Sequence, residues 1–508
     1  MTTATRDTLL FVTVSLIAAF LLALDPPGYF GGRWDDGRYL DTALSWATAG
    51  PTLGTEHWSL RWPVVAPAWG AIEAFGQSRA ALMLPGLATL ALLLTVNFWA
   101  ARRVFGGAAA TVAMLALLTT SEILFAATRL TADLPELLFL SSAAWAFVFA
   151  ARTAGPARTR WLIACGAAAG LGWAVRETAA SLPLVLGLVF LTGIGVPRRS
   201  YVWIALGFAA VLLPEQIALW IASGDSLYRL HVDLRHIEVP STNLRGLVAG
   251  GGSAPLNTAV MARWEGVGPL RVHYLLDPWL NLFLNGRYGL DFLIAALAVL
   301  AARRRVSGRA VAILAGLAAA HIAFVVYVVA TDPKPRMFMP AILCACLVIG
   351  VAAPLAWRGR GRIWLGILGV LKLVLLLVTI DITAVYNSRY DRLAALAVAR
   401  SPGPVYANRW TISTLALADP RTIERLSERD PPVGGVYLTV EKRGDPHADA
   451  VPNPAYRWQT IARVKSTAEP HVVRWFRPLI PAGSGVERMI ARAPPTATLY
   501  RRLPDAPR

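Results

Sequence analysis

Residues 24–79 read LDPPGYFGGRWDDGRYLDTALSWATAGPTLGTEHWSLRWPVVAPAWGAIEAFGQSR and lie between two almost wholly apolar runs. The stretch carries Asp35 and Asp36 flanked by Arg33 and Arg38, a second charged cluster at Glu56, His57 and Arg61, and many Trp and Tyr residues. Indole and phenol rings favour the headgroup layer of a bilayer, so a polar, aromatic stretch between apolar spans lies at a membrane surface. Two adjacent Asp residues repel each other. A bound cation, a nearby Arg or a chemical task accounts for keeping them together; a self-satisfied surface patch of alternating Arg and Asp is the plainer alternative.

Composition sets the class. The chain has 508 residues, of which 56% are hydrophobic and only 16% charged, with mean hydropathy +0.50. Soluble domains carry about 25% charge, so the deficit indicates many spans rather than one large core. The net charge of +18 does not indicate nucleic acid, because the basic residues sit in short clusters between apolar runs. Cys165, Cys344 and Cys346 all fall in apolar runs and offer neither a disulfide framework nor thiol–metal spacing. The first apolar run ends at Asp25-Pro26-Pro27 without a small-residue cleavage site, which reads as a retained span.

At about 20 apolar residues per span, a polytopic α-helical protein of about 11 transmembrane helices is expected. They fall near 9–24, 80–101, 107–125, 134–151, 161–175, 179–196, 201–221, 288–302, 310–330, 337–356 and 363–385. The basic clusters at 102–103, 152–160, 198–199, 303–305 and 358–362 all follow even-numbered spans, which places them together on the cytoplasmic side. Asp35, Asp36, Asp133, Glu177, the 222–287 loop and Asp332 then share the outer face, with charge concentrated at outer span ends. From about residue 386 the character changes, and strands are expected at 405–407, 435–439 and 498–501. The expected organisation is a membrane domain over 1–385, including outer loops 25–79 and 222–287, and a small extracytoplasmic α+β domain over 386–508 that packs and caps. No GxGxxG, Walker or GxSxG pattern occurs, and glycine pairs inside the spans read as close helix packing.

Acids spread over several outer loops suit glycosyl transfer from a lipid-phosphate donor. Such a reaction needs a base within hydrogen-bond reach of an acceptor hydroxyl and positive donors or a metal for the departing phosphate. Asp35 and Asp36 are the candidate bases. Arg129, Arg176 and Arg336, near outer span ends, are the candidates to meet phosphate, although Arg176 is also placed to pair with Glu177 and Arg129 to anchor a loop. The 222–287 loop is expected to cover the site, with Gly250–Gly252 mobile. Two other classes stand beside this one: a lipid or solute transporter or flippase, which would place polar residues at the midplane or use discontinuous helices, and a non-enzymatic envelope scaffold.

GRWDDGRYLDTA after the first span, ATRLTADLPELLF after the third, GLGWAVRET at the end of the fifth and KPRMFMP opening a late span together resemble the GT-C superfamily of membrane glycosyltransferases. The similarity covers roughly residues 1–385 and is strongest to the branch of the lipid A aminoarabinose transferases and protein O-mannosyltransferases. The resemblance implies a polyprenyl-phosphate-sugar donor, a glycan, lipid or protein acceptor, membrane lipids as surroundings, and an inverting transfer on the outer face of a bacterial cytoplasmic (inner) membrane. It also implies a catalytic Asp at the first position of the acidic pair, here Asp35, with Asp36 where Glu is common and Asp133 at the second acidic position. One departure matters. Where the aminoarabinose branch has Glu-Lys-Pro-Pro, this chain has Leu60-Arg61-Trp62-Pro63, so Arg61 keeps a positive charge for phosphate while the acid is lost. A divalent cation, Mg or Mn, is the cofactor to consider, with Glu56, His57 and His273 as candidate ligands because imidazole and carboxylate are competent donors.

Overall fold

The computed structural model describes residues 3–24, 35–237, 276–286, 288–329, 335–357, 361–408, 425–441, 455–465, 469–484 and 496–504, with residues 411, 412, 415, 453 and 487. Helix α1 (Thr3–Leu24) is followed by α2 (Asp35–Ala49) and α3 (Trp62–Phe75), then by α4 (Arg79–Phe105), α5 (Gly107–Leu118), α6 (Ser121–Ala127), α7 (Asp133–Ala151) and α8 (Gly155–Val175). Next come α9 (Ser181–Thr192), α10 (Tyr201–Ser223), α11 (Tyr228–Ile237), α12 (Asp277–Leu284), α13 (Gly289–Ala302), α14 (Gly308–Ala323), α15 (Met339–Ala356) and α16 (Gly361–Ala399).

Among the described residues seven helices are long and apolar enough to cross a membrane, or nine if each of two bent pairs counts as one span. The bent pairs are α5 with α6, at 75°, and α12 with α13, at 93°. The sequence led us to expect eleven spans, and the shortfall lies at the fifth and sixth. Arg158 and Arg160 occupy the first turns of α8 and shorten its apolar length. The apolar helical stretch Glu177–Thr192 is under 18 residues, about 24 Å at 1.5 Å per residue against a hydrocarbon core of about 30 Å.

The first outer loop is largely helical. In α2 the buried residues Asp36, Tyr39, Leu40 and Ala43 share one face, the i, i+3, i+4, i+7 pattern of an amphipathic helix. That face packs with Val64, Val65, Ala68 and Ile72 of α3, with Leu82 at the start of α4, and with Leu130, Ala132 and Val175 at the ends of other spans. The acidic pair is thereby fixed to a rigid platform. Its position in the first turn of α2 is also the one where the helix dipole favours carboxylates.

Helices α8 and α10 meet backbone to backbone. A Cβ on Gly166 would lie 2.0 Å from the Ile204 carbonyl oxygen, and one on Gly207 would lie 2.1 Å from the Ile163 carbonyl oxygen. Small residues let membrane helices approach this closely.

Charge is not confined to span ends, contrary to expectation. Lys372 of α16 and Asp291 of α13 form a buried ion pair. Lys372 Nζ also donates to the Ala116 carbonyl at 2.5 Å and to Thr120 Oγ1 at 3.1 Å, where α5 breaks into α6. Thr120 donates in turn to Asp291 Oδ2 at 3.0 Å. A single Lys in a long apolar run leaves hydropathy almost unchanged, so the pairing is invisible along the chain.

Helix α16 runs unbroken through the boundary expected near 386 and carries the C-terminal sheet on its last turns. Strands β1 (Val405–Ala407), β2 (Leu426–Ser427), β3 (Val436–Glu441), β4 (Trp458–Lys465) and β5 (Thr496–Arg502) form one sheet in the order β2-β1-β3-β5-β4. The β1–β2 and β1–β3 pairs are parallel and the β3–β5 and β4–β5 pairs antiparallel. Alternate residues Val405 and Ala407, Leu438 and Val440, and Ala497 and Leu499 bury one face together with Ala397 and Val398 of α16. A short helix, α17 (His471–Phe476), lies between β4 and β5.

Replacing Gly166 or Gly207 with Val should force α8 and α10 apart, at a cost of about 1–3 kcal/mol for overpacking. Thermal unfolding of the purified protein should show both variants melting below wild type. Gly187→Val, where a new Cβ meets nothing within 4 Å, should melt close to it.

Candidate functional site

The acidic pair sits in a network of ionic side chains drawn from five parts of the chain. Asp35 Oδ1 accepts a hydrogen bond from Trp58 Nε1 at 3.0 Å, and its Oδ2 accepts one from Arg336 Nη2 at 2.5 Å. Arg336 belongs to the 3-10 turn Pro335–Phe338 that opens α15, and its Nε lies 4.0 Å from Asp133 Oδ1. Asp133, the first residue of α7, accepts from Arg176 Nη1 at 2.6 Å. The same Arg176 nitrogen lies 3.5 Å from Glu136 Oε2, and Thr178 donates to the other Glu136 oxygen.

A second branch runs beside the first. Arg61 donates from Nη1 to the Tyr39 hydroxyl at 2.7 Å and from Nη2 to both Glu177 oxygens, at 3.2 and 2.9 Å. Arg229 of α11 pairs with Glu215 of α10 and donates to the Trp173 and Ala174 carbonyls at 3.2 and 2.9 Å. Tyr228 donates to the Gly54 carbonyl at 2.8 Å. These contacts tie the start of the long 222–287 loop to the site; residues 238–275, including Gly250–Gly252 and His273, lie outside the described residues.

The two carboxyls of the pair are shifted in opposite directions. Burial opposes ionisation of Asp35, but Arg336, Arg176 and Arg61, together with the Trp58 hydrogen bond, hold its carboxyl far below the usual carboxylate range. Burial pushes Asp36 the other way, up to about 7, with Arg129 opposing the rise and Asp35 adding to it. Asp36 Oδ1 has no hydrogen-bond partner among the described residues, and neither do the buried Nε atoms of Arg61, Arg129 and Arg336. Arg129 lies over the Phe125 ring at 5.4 Å. The site thus sets a carboxylate whose ionised form the arginines favour beside a carboxyl pushed up to about 7, with cationic donors around both, which suits an anion and a proton acceptor side by side.

The structure brings Asp35, Asp36, Asp133, Arg61, Arg129, Arg176 and Arg336 into one cluster. Arg176 does not pair with its neighbour Glu177; it reaches Asp133 and Glu136, and Glu177 serves Arg61. Glu56 is engaged by Arg38 at 3.3 Å, and His57 lies against Trp58 with ring centroids 3.6 Å apart. Among the described residues no group of three or more His, Cys, Asp or Glu side chains is placed to hold a metal. Glu56 and His57 therefore do not make a metal site with the described residues. Sequence reasoning placed Glu177 on the outer face but beside Arg176 rather than Arg61, and missed Tyr39, Trp58 and Glu136 as parts of the network. Glu136 alone carried a signal, since it stands three residues after Asp133 and so on the same helix face.

This chain is a polytopic membrane protein that resembles the GT-C membrane glycosyltransferases. The family model described as dolichyl-phosphate-mannose-protein mannosyltransferase matches residues 63–220. The fold resembles that of ArnT from Cupriavidus metallidurans bound to undecaprenyl phosphate, with TM-score 0.52, 17% identity, and 98% of each chain covered. It also resembles the Archaeoglobus fulgidus oligosaccharyltransferase AglB in complex with an inhibitory peptide and a dolichol-phosphate, with TM-score 0.50 and 12% identity over 81% of this chain and 63% of that one. A structure of the Archaeoglobus fulgidus oligosaccharyltransferase in complex with Zn and sulfate gives TM-score 0.50 at 12% identity, over 82% of this chain and 62% of that one. No curated protein sequence matches the chain.

Because folding raises the Asp36 carboxyl from 3.8 to about 7, the folded state favours its protonated form. That contribution is fully present below the unfolded value and is lost as pH rises through the folded one. Asp36→Asn, which cannot ionise, should therefore raise thermal stability more at pH 8 than at pH 5, as read by unfolding curves at the two pH values.

Proposed function

We propose that this chain transfers a sugar from a polyprenyl-phosphate-sugar to a hydroxyl group of a glycan, lipid or protein acceptor, with inversion, on the outer face of a bacterial cytoplasmic membrane. The single observation that carries the reading is the Asp35 carboxylate paired with Arg336 at 2.5 Å, with Arg176 and Arg61 close enough to favour its charge. Residues 1–385 form the catalytic membrane domain and 386–508 the domain that caps it.

The chemistry follows from the charges. The acceptor oxygen attacks the anomeric carbon from the face opposite the phosphate, a C–O bond forms, and the bond from that carbon to the phosphate oxygen breaks. Asp35 takes the hydroxyl proton, and the phosphate leaves with the bonding electron pair into the field of Arg61, Arg129, Arg176 and Arg336. Pairing with Arg336 makes Asp35 a weak base. A donor phosphate competes for the same guanidinium, and as Arg336 turns to the phosphate the Asp35 carboxylate gains basicity where the acceptor hydroxyl arrives. Asp133, 4.0 Å from Arg336 and bonded to Arg176, positions both guanidinium groups. The Archaeoglobus fulgidus oligosaccharyltransferase structure contains Zn, and a divalent cation, Mg or Mn, bound here would add positive charge beside the departing phosphate.

A transporter reading draws on one observation, the Lys372–Asp291 pair beside two broken helices. Its donors are already engaged by Ala116, Thr120 and Asp291, which favours a structural role.

The test is sugar transfer by the purified protein in nanodiscs, with radiolabelled polyprenyl-phosphate sugars and envelope lipid as donor and acceptor panels. Wild type should move label into a new product, and Asp35→Asn should lower turnover about 100-fold or more while folding normally. Near-wild-type turnover by the variant would remove Asp35 from the mechanism. Movement of lipid or solute across the bilayer, with no Asp35-dependent transfer, would put the transporter reading in its place.

A further inference from the structure

The C-terminal domain touches the chain at two heights along α16. The apolar span within that helix is Gly361–Ile382, so Asp381 stands at the level where the helix leaves the membrane. The sheet is packed at Ala397 and Val398, about 24 Å further along a straight helix at 1.5 Å per residue. One part of the domain nevertheless returns to the membrane boundary. Asp381 Oδ1 is bonded to His471 Nδ1 at 2.9 Å, and Asp381 Oδ2 accepts from the Val472 backbone N–H at 2.9 Å.

The segment pinned there reads HVVRWFRPLI over residues 471–480. Trp475 is 73% exposed, Phe476 55% and Leu479 75%, a concentration of large apolar surface that would be costly in water. Arg474 and Arg477 are interleaved with them, and Arg477 also reaches Glu469 at 2.8 Å. Aromatic side chains beside arginines, held at the emergence level of a membrane span, match the chemistry of the interfacial layer: rings among the headgroups and guanidinium groups on lipid phosphate.

We propose that residues 471–480 form a foot by which the C-terminal domain rests on the bilayer, with Trp475, Phe476 and Leu479 inserted among the headgroups and Arg474 and Arg477 on anionic lipid phosphates. The occupant of this apolar face is the lipid surface from which α16 emerges. The two hydrogen bonds to Asp381 set its height, and the arginines give it a preference for anionic lipid.

The test places an environment-sensitive fluorophore on the full-length chain at Trp475→Cys, in nanodiscs of phosphatidylcholine with or without phosphatidylglycerol. Val433→Cys, 56% exposed before β3, is the control, and labelled wild type supplies the background from Cys165, Cys344 and Cys346. The expected result is a blue shift at position 475 and loss of its emission when headgroup-level nitroxide lipids are included, with neither at 433. Phosphatidylglycerol should deepen the quenching, and Arg474→Gln with Arg477→Gln should abolish that increment. Equal, water-like emission at both positions overturns the proposal, as does a shift at 475 that tracks protein concentration rather than nitroxide lipid, which would assign the face to a second copy of the chain. Hydrogen exchange over 471–480 of the unlabelled protein gives an independent reading, with slower exchange expected in anionic than in neutral nanodiscs and equal rates counting against the foot.

Discussion

The largely buried chain of polar and charged side chains from Trp58 through Asp35, Arg336, Asp133 and Arg176 to Glu136 is the constraint around which the outer end of the bundle is built. Removing guanidinium and carboxylate groups from water costs several kcal/mol per ion, and the loss is offset only where partners and hydrogen bonds are accurately placed. Accurate placement here needs α2 on its α3 platform, the first turn of α7, the break after α8 and the turn before α15 all held at once. The apolar cluster of Tyr39, Leu40, Val64, Val65, Leu82, Leu130 and Val175 supplies that rigidity directly beneath the charges.

Two ionic sites in the molecule illustrate different uses of burial. At Lys372 and Asp291 the carbonyl of Ala116, the hydroxyl of Thr120 and the carboxylate together satisfy the ammonium, so the site is closed and fixes the α5–α6 break. Near Asp35 the set is left open among the described residues, with Nε donors of three arginines and one oxygen of Asp36 still able to bond. A closed set holds structure; an open one invites a ligand whose charge completes it.

Much of this was legible along the chain. Spans announce themselves by length and hydropathy, and the three main strands by short β-branched runs bounded by Gly and Pro. Arg129, Asp133, Arg176 and Arg336 were legible because each stands at the outer end of an apolar run, and Asp35, Asp36 and Arg61 because they cluster in the polar stretch between the first two runs. Their pairing was not. Arg336 and Asp35 are 301 positions apart, and nothing in local periodicity reports which carboxylate a guanidinium will meet. Arg176 shows the point, since its sequence neighbour Glu177 points to Arg61 because the backbone between them is extended as it enters a 3-10 turn. Lys372 and Asp291 were illegible for a different reason: the apolar residues around each outweigh one charge in any window long enough to define a span.

Helix α16 also works as a ruler with a fixed angular phase. Because the helix is continuous from the membrane to the sheet, one residue added between Asp381 and Ala397 would turn everything above it by about 100° and lift it by about 1.5 Å. The sheet would keep its own packing on the upper turns, but the segment at His471 would swing around the axis away from Asp381. The number of residues between those two points is therefore part of the specification of the domain's orientation.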